Sequence, residues 1–460
     1  SYRKDEFFMS SVYRFPGGIH PQEGVGGKAA TAGLPIVEAP QPSRVAIPLQ
    51  QHIGAPCKPL VQKGDLVKAG QKIGEPTGFV SAAVHASVSG KVVDVIPCIV
   101  ANGTQVNSVV IDNDFQDTWE ELHPVAEPDK LTASELANLC REMGIVGMGG
   151  ATFPTHVKLS VPPGKKAECV IINGVECEPY LTSDHRTMLE HGEELVVGVT
   201  ILMKAVGVGK AYIGIENNKP DAIAHLTKIA AGYKGIEVVP LKVMYPQGGE
   251  KQLIAAVTGR QVPPPPALPI DVGAVVCNVS TTVAVYDAVQ KNKPLIERVV
   301  TVTGRQMEAP KNLLVRFGTP VAVLLEAAGG VPAGDVKVLN GGPMMGRAMS
   351  NLASPVVKGC SGITVLGGAA ALRGRESSCI KCAKCVSACP MGLEPYLMAK
   401  LSRRKLWERL EAEWVTNCIE CGCCQFTCPA DIPLLDFIRM GKQEVGALIR
   451  ARAAAHATKK

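Results

Sequence analysis

The sequence predicts a multidomain chain that mixes β modules with an α/β domain and ends in a cysteine-dense helical domain. Three observations predict this. The chain has 460 residues, more than one hydrophobic core usually serves. Residues 128–270 alternate between helical and strand patterns. Nine of the sixteen cysteines fall between Cys379 and Cys428.

Apolar residues make up 46% and charged residues 20%, as in an ordinary globular chain, while aromatics are only 4%. The formal net charge is +6. No basic stretch is interleaved with stacking aromatics, so nothing points to nucleic acid. The apolar run Leu195 to Met203 is far short of the roughly 20 residues a spanning helix needs. Residues 1–9 carry charge but no apolar core, so no signal peptide is expected there.

Residues 1–41 hold Phe15-Pro16-Gly17-Gly18 and many further Gly and Pro. They read as an irregular segment wrapping the surface. Residues 42–115 change character. Short β-branched runs in 61–75 and 84–92, punctuated by glycine, read as strands and turns. This stretch resembles the lipoyl and biotinyl carrier barrel. A carrier presents a lysine at a hairpin tip, and the corresponding run Phe79–Val84 (FVSAAV) has none. The resemblance implies the barrel without its swinging arm, in a structural or docking role.

The α/β domain is expected over 128–290. Leu131–Met143 has helical periodicity, with Thr132 as N-cap and Glu135 completing a capping box. Cys169–Asn173 reads as a buried strand, Met188–Val206 as one helix, and Ala211–Ile215 as a second strand. A helix at Asp221–Ala231 and a third strand at Glu237–Val243 follow. Strands separated by helices argue for a parallel, Rossmann-like sheet. Pro263–Pro266 form a stiff loop. Residues 298–346 fit a small β-grasp module, with strands at 298–303 and 336–339 around a helix at 320–328. Residues 375–445 form the cysteine domain, and 446–460 a basic helical tail.

The cysteine spacing is specific. Cys379, Cys382, Cys385 and Cys389 read C-x2-C-x2-C-x3-C and are followed by Pro390. Cys418, Cys421, Cys424 and Cys428 repeat the run before Pro429. This is the bacterial ferredoxin spacing for [4Fe–4S] clusters, in which the fourth cysteine of each run serves the neighbouring cluster. One cluster is therefore assigned Cys379, Cys382, Cys385 and Cys428, and the other Cys418, Cys421, Cys424 and Cys389. Zinc also uses C-x2-C pairs but leaves no regular third and fourth cysteine. Cys423 breaks no spacing and reads as a bystander. Ile380, Ile419 and Phe426 are expected to shield the clusters. The other seven cysteines are expected to be reduced and mostly buried.

Gly147–Leu159 (GMGGATFPTHVKL) could let backbone N–H groups close on a phosphate or flat ring, with Lys158 adding positive charge. The stretch resembles GRGGAGFPTG-x-KW of the flavin subunit of respiratory complex I. Residues 173–186 (NGVECEPYLTSDHR) resemble that family's N-x-DESEPGT segment. Residues 245–254 (YPQGGEKQLI) resemble Y-x-CGEETALI, and residues 277–281 (CNVST) resemble NNVET. Met148, Thr152, His156, Val175 and Gly249 depart from the pattern. The resemblance implies non-covalent FMN and NAD(H) as substrate. Gly147, Gly149, Gly150 and Lys158 would hold the FMN phosphate side. Asn173, Glu176, Asn278 and Thr281 would hold the ring and ribityl. Glu178 and Glu250 would border the nicotinamide pocket, with Phe153 as a stacking wall. No acid–base residue is needed for hydride transfer.

The order of modules is similar to that of the C-subunit family of Rnf complexes, ferredoxin:NAD oxidoreductases that translocate Na+ or H+. That resemblance implies a peripheral subunit on the cytoplasmic face of the membrane. Its partners would be the other subunits, with ferredoxin acting indirectly. A free-standing NADH-dependent reductase, such as a cobalamin reductase, is the alternative, but there the barrel segment would not precede the Gly-rich loop.

Overall fold

The computed structural model describes residues 14–20 and 27–457. The remainder of the expected N-terminal segment (1–13 and 21–26) and the last three residues of the expected tail lie outside the described residues.

The first module is a sandwich of two antiparallel sheets. Arg44–Pro48, Gln105–Asn113, Gly90–Ile99 and Leu66–Val67 form one sheet in that spatial order. Lys58–Pro59, Lys72–Glu75 and Val84–His85 form the other. Alternate side chains such as Val45, Ile47, Ile73, Val92 and Ile111 point inward and are fully or almost fully buried. The loop 76–83, where a carrier would hold its lysine, is packed onto the α/β domain. Ala83 N–H donates to the Arg141 carbonyl at 3.0 Å, and His156 Nε2 lies 2.7 Å from the Phe79 carbonyl.

The helix at Ala133–Glu142 starts as the sequence predicts. Thr132 caps it and Glu135 completes the capping box. The central sheet is wholly parallel. Its spatial order is Ile236–Leu241, Ala211–Glu216, Cys169–Asn173, Ala274–Asn278. The first strand in sequence therefore lies between the second and the fourth, and strand order reverses beside Cys169–Asn173. That strand is buried on both faces. Val170 and Ile172 join one core, while Cys169 and Ile171 join another on the opposite side.

The single helix expected over 188–206 is two, Ser183–Glu190 and Gly192–Val206. The chain breaks at His191, and Gly192 then lies against His225, where a Cβ would come within 2.7 Å of the imidazole. Periodicity alone does not report such a close approach between helices.

The next module holds a six-stranded sheet, larger than residues 298–346 supply. Gly362–Gly367 pairs between Glu297–Thr303 and Val336–Asn340, and Ile36–Glu38 adds a parallel edge strand beside Lys311–Arg316. The N-terminal segment is thus not irregular throughout. Three residues carry no periodicity of their own, and the strand exists because an edge is available to pair with. The helix Val321–Ala327 packs on this sheet.

The cysteine domain is built from Pro395–Arg403, Trp407–Ala412 and Leu434–Ala457, with short helices at Lys384–Ser387 and Cys423–Phe426. Leu393, Met398, Leu410, Leu434 and Ile438 form its core. Among the described residues, no helix is long and apolar enough to cross a membrane.

Candidate functional site

In an open parallel sheet, ligands bind beyond the carboxyl ends of the strands where strand order reverses. Here that point lies between Asn173 and Asn278, which are register partners at the ends of adjacent strands. All four resembling motifs gather at this edge of the sheet.

The Gly-rich loop is closed by Gly147 N–H donating to the Phe153 carbonyl at 2.9 Å. It is anchored by Met148 N–H donating to Thr281 Oγ1 at 2.8 Å. Asn278 caps the helix Val279–Lys291 through the N–H of Thr281. Gly149 sits so close to Asn278 that a Cβ would come within 2.6 Å of its amide, whereas a Cβ on Gly150 would enter open space. A backbone that is bare on one side, beside a helix N-terminus, suits a phosphate or a flat ring. On this observation the residues fit FMN.

Lys158 and Glu250 come together rather than lying at opposite ends of a ligand. Lys158 Nζ donates to Glu250 Oε1 and to the Val276 carbonyl, both at 3.0 Å. Burial pulls the ammonium's pKa down, but Glu250 and Cys277 hold it above its ordinary value. Asn173 Nδ2 donates to the Gly248 carbonyl at 2.8 Å, tying two of the motifs together. Phe153 lies in the same loop, half-buried.

The two glutamates of the 173–186 motif are occupied by the protein itself. Glu176 accepts from the N–H groups of Asp184 (2.8 Å) and His185 (3.1 Å) at the start of the Ser183–Glu190 helix. Glu178 accepts from the N–H groups of Met344 (2.6 Å) and Met345 (3.1 Å). Burial pushes the Glu178 carboxyl up, while those amides and the Tyr245 hydroxyl pull it back down.

Several buried and half-buried charges that sequence reasoning missed support these loops. Lys28 Nζ donates to the carbonyls of Glu176, Glu178 and Leu181 at 2.8, 3.0 and 2.5 Å. Lys219 Nζ donates to the Val175 carbonyl at 2.7 Å. Arg298, buried in a strand, donates to the Met148 carbonyl at 3.0 Å. Asp184 accepts from Asn278 at 2.7 Å and from Ser280 at 2.8 Å. Burial, reinforced by Glu176, pushes its carboxyl up to about 6. Only Asp184 left a signal, because it lies inside the 173–186 motif. The lysines and Arg298 sit in stretches whose local pattern says nothing about charge.

The cysteines expected to hold the clusters fall into two groups. Cys389, Cys418, Cys421 and Cys424 line one cavity with Pro390, Leu393, Met398 and Ile438. Burial pushes the Cys424 thiol up, and Cys418, Cys421 and Cys389 add to it. Burial pushes the Cys385 thiol up, a backbone contact at Tyr396 pulls it down, and its neighbour Cys428 adds to the rise. Among the described residues, no three His, Cys, Asp or Glu side chains close on a single ion-sized point; Cys389, Cys418, Cys421 and Cys424 stand around a common cavity instead. Cys423 borders the same cavity but is fully buried, and its thiol donates to the Tyr245 carbonyl at 3.7 Å. The seven remaining cysteines are free, and all are buried except the half-buried Cys98 and Cys177.

The shielding expected of Ile380 and Phe426 is not found. They are 68% and 60% exposed, whereas Ile419 packs beside Cys421 and Cys423. The two cysteine groups also differ in position. Cys421 and Cys424 are 7% and 8% exposed, while Cys379 and Cys382 are open to solvent. The buried group backs onto the α/β domain. Tyr245 OH donates to the Cys421 carbonyl at 2.7 Å, and Gly18 N–H donates to the Ala388 carbonyl at 3.1 Å.

Comparison with known proteins adds three family matches. Residues 13–116 match the RnfC barrel sandwich hybrid domain, residues 140–287 the Nuo51 FMN-binding domain, and residues 299–348 the SLBB domain. The C subunit of the proton-translocating ferredoxin:NAD(+) oxidoreductase complex of Clostridium ljungdahlii is 49% identical over 87% of this chain and 87% of its own. The Na(+)-translocating counterpart of Acetobacterium woodii is 46% identical over 94% of this chain and 97% of its own. The C subunit of the ion-translocating oxidoreductase complex of Rhodobacter capsulatus is 42% identical over 85% of this chain and 75% of its own.

Proposed function

The chain belongs to the family of C subunits of ion-translocating ferredoxin:NAD(+) oxidoreductase complexes, and from that premise we propose that it binds FMN at the crevice between Asn173 and Asn278 and carries two [4Fe–4S] clusters that pass electrons between that site and the rest of the complex. The observation that carries this reading is the contact between Tyr245, from a flavin-domain motif, and the carbonyl of Cys421, from the buried cysteine group. That contact supports a cluster held against the flavin domain.

When bound, FMN exchanges a hydride with NAD(H) and single electrons with four-iron clusters, which no nicotinamide can do alone. The chain supplies the positions. Gly147, Gly149 and Gly150 give the close backbone approach, Asn278 and Thr281 fix the loop from behind, and Asn173 joins it to the Gly248 turn. Lys158 and Glu250 stand as an ion pair at the same rim. Phe153 is the available stacking surface. Glu176 and Glu178 act by holding loops, since their carboxylates already accept backbone N–H groups. Cys418, Cys421, Cys424 and Cys389 hold the inner cluster, and Cys379, Cys382, Cys385 and Cys428 the outer one.

The subunit works beside membrane partners on the side where NAD(H) is found. The test is anaerobic titration of the purified chain with NADH. Iron analysis should give about eight atoms per chain, acid should release free FMN, and NADH should reduce both clusters as seen by electron paramagnetic resonance. A chain that lacks flavin, or whose clusters stay oxidised with excess NADH, would refute the reading.

A further inference from the structure

We propose that Phe79 of the N-terminal barrel is the stacking platform for the adenine of NAD(H), so that the barrel completes the dinucleotide site of the α/β domain. This rests on the reading that NAD(H) exchanges hydride with FMN in the crevice beside Asn173 and Asn278, and it names the element that receives the far half of the dinucleotide.

A dinucleotide carries two flat rings joined by a pyrophosphate. With the nicotinamide over the flavin, the adenosine must leave the crevice along one of its rims. The Gly-rich loop forms one rim. Its near end is pinned at Thr281 through the Met148 N–H. Its far end runs through Phe153 into the helix Thr155–Leu159, and there the barrel touches it. His156 is 3% exposed, and its Nε2 lies 2.7 Å from the Phe79 carbonyl. The two rings meet edge to face, with centroids 5.8 Å apart and planes at 84°. Phe153 stands three residues before His156, so the aromatic rings of the loop and of the barrel both attach at the start of one short helix.

The loop 76–83 buries Ala82 and Ala83 but leaves Phe79 65% exposed. On the neighbouring segment Ile53 is also exposed, and the two segments are joined by Ala55 N–H donating to the Val80 carbonyl at 3.0 Å. Covering that apolar area is favourable. A flat ring is the fitting cover on two grounds. Phe79 is already fixed at its ring edge and its carbonyl by a buried imidazole, so little freedom remains to be lost on binding. It also adjoins a loop shaped for a ligand. Gly149, Gly150 and Ala151 are exposed, and the β-branched Thr152 is held at φ 54°, a strain that gathers at ligand loops. Stacking asks only for a π face, which adenine supplies. The step is binding alone; no bond forms or breaks.

The test uses the full chain loaded with iron, sulfide and FMN, and three probes: NADH, reduced nicotinamide mononucleotide, which lacks the adenosine, and ADP-ribose, which lacks the nicotinamide. Calorimetry gives the dissociation constant of ADP-ribose, and stopped-flow spectroscopy gives flavin reduction by the two nicotinamides. In Phe79→Ala, ADP-ribose should bind about tenfold more weakly, and half-saturation by NADH should rise by a similar factor. Reduction by the mononucleotide, the limiting rate with NADH and the FMN content should match the parent, and Phe79→Tyr should restore binding. Parent-like ADP-ribose binding in Phe79→Ala would overturn the proposal, as would a parent that binds no ADP-ribose. Equal losses with NADH and the mononucleotide would also overturn it, making Phe79 a brace for the loop. Failure of NADH to reduce the parent's flavin would count against the preceding reading alone, because ADP-ribose binding still decides this one.

Discussion

At the scale of single residues, the site depends on close approaches that tolerate no added atom. Gly149 is the clearest. Substitution to Ala would drive a Cβ to within 2.6 Å of the Asn278 amide, displacing the cap that holds Thr281 and Met148. Gly149→Ala should fold with unchanged circular dichroism but purify with its FMN content greatly reduced. Tyr245→Phe removes one hydrogen-bond donor and leaves the Cys421 carbonyl without it. The variant should lose about 1–3 kcal/mol of stability. The midpoint potential of the inner cluster should also drop, while that of the outer cluster stays put. Asp184 carries a pH signature. Its folded pKa is raised, from its ordinary 3.8 to about 6, so in that window the folded chain holds a proton the unfolded chain has released. Stability should therefore fall as pH rises through the window. Urea midpoints measured across it should show that slope in the parent and a flatter one in Asp184→Asn.

At the scale of elements, the barrel loop 76–83 shows how a carrier fold serves as a brace. Ala82 and Ala83 are fully buried against the flavin domain. Lys358 Nζ reaches across to donate to the carbonyls of Ala83 (2.9 Å) and Gly144 (2.7 Å). A long side chain at the loop tip would have nowhere to go, which is the packing reason the arm is missing. Intact mass should accordingly equal that of the bare polypeptide. An added lipoyl or biotinyl mass on Lys63, Lys68, Lys72 or Lys91 would sink this assignment. The six-stranded sheet makes a similar point. Its inner strand Gly362–Gly367 and its edge strand Ile36–Glu38 are far apart in sequence, and each joins the sheet only by pairing with strands the folded chain brings beside it, Glu297–Thr303 and Lys311–Arg316 respectively.

At the scale of the whole molecule, the modules line up by exposure. The outer cysteine group faces solvent, the inner group backs onto Tyr245, and the motif loops open at the carboxyl edge of the parallel sheet. That order suits a chain that takes electrons from partners one at a time and delivers them to a nicotinamide in pairs. In gently broken cells the protein should sediment with membranes and be released with its partners by detergent. Recovery wholly in the soluble fraction, with acceptor reduction independent of membrane subunits, would favour a free-standing reductase instead. The crossed ligation is also tested at this level. Cys428→Ala should abolish the signal of the cluster at Cys379 and spare the one at Cys424.

The sequence by itself determined the features that are local. A capping box needs only Thr132 and Glu135 three residues apart, and the helix begins there. The doubled cysteine run needs only its spacing to be recognised. Short buried strands such as Cys169–Asn173 announce themselves by composition. Tertiary structure decided everything that depends on what lies opposite. It placed Lys158 against Glu250, turned Glu178 toward Met344, and set the Lys28 ammonium on the carbonyls of the 176–181 loop. It broke a helix at His191 where Gly192 meets His225, and left Ile380 and Phe426 in solvent rather than over the cysteine groups. The physical reason is the same in each case. Spacing along the chain fixes which groups share a face, but the partner a buried charge, glycine or edge strand finds is set by long-range packing, which no local pattern encodes.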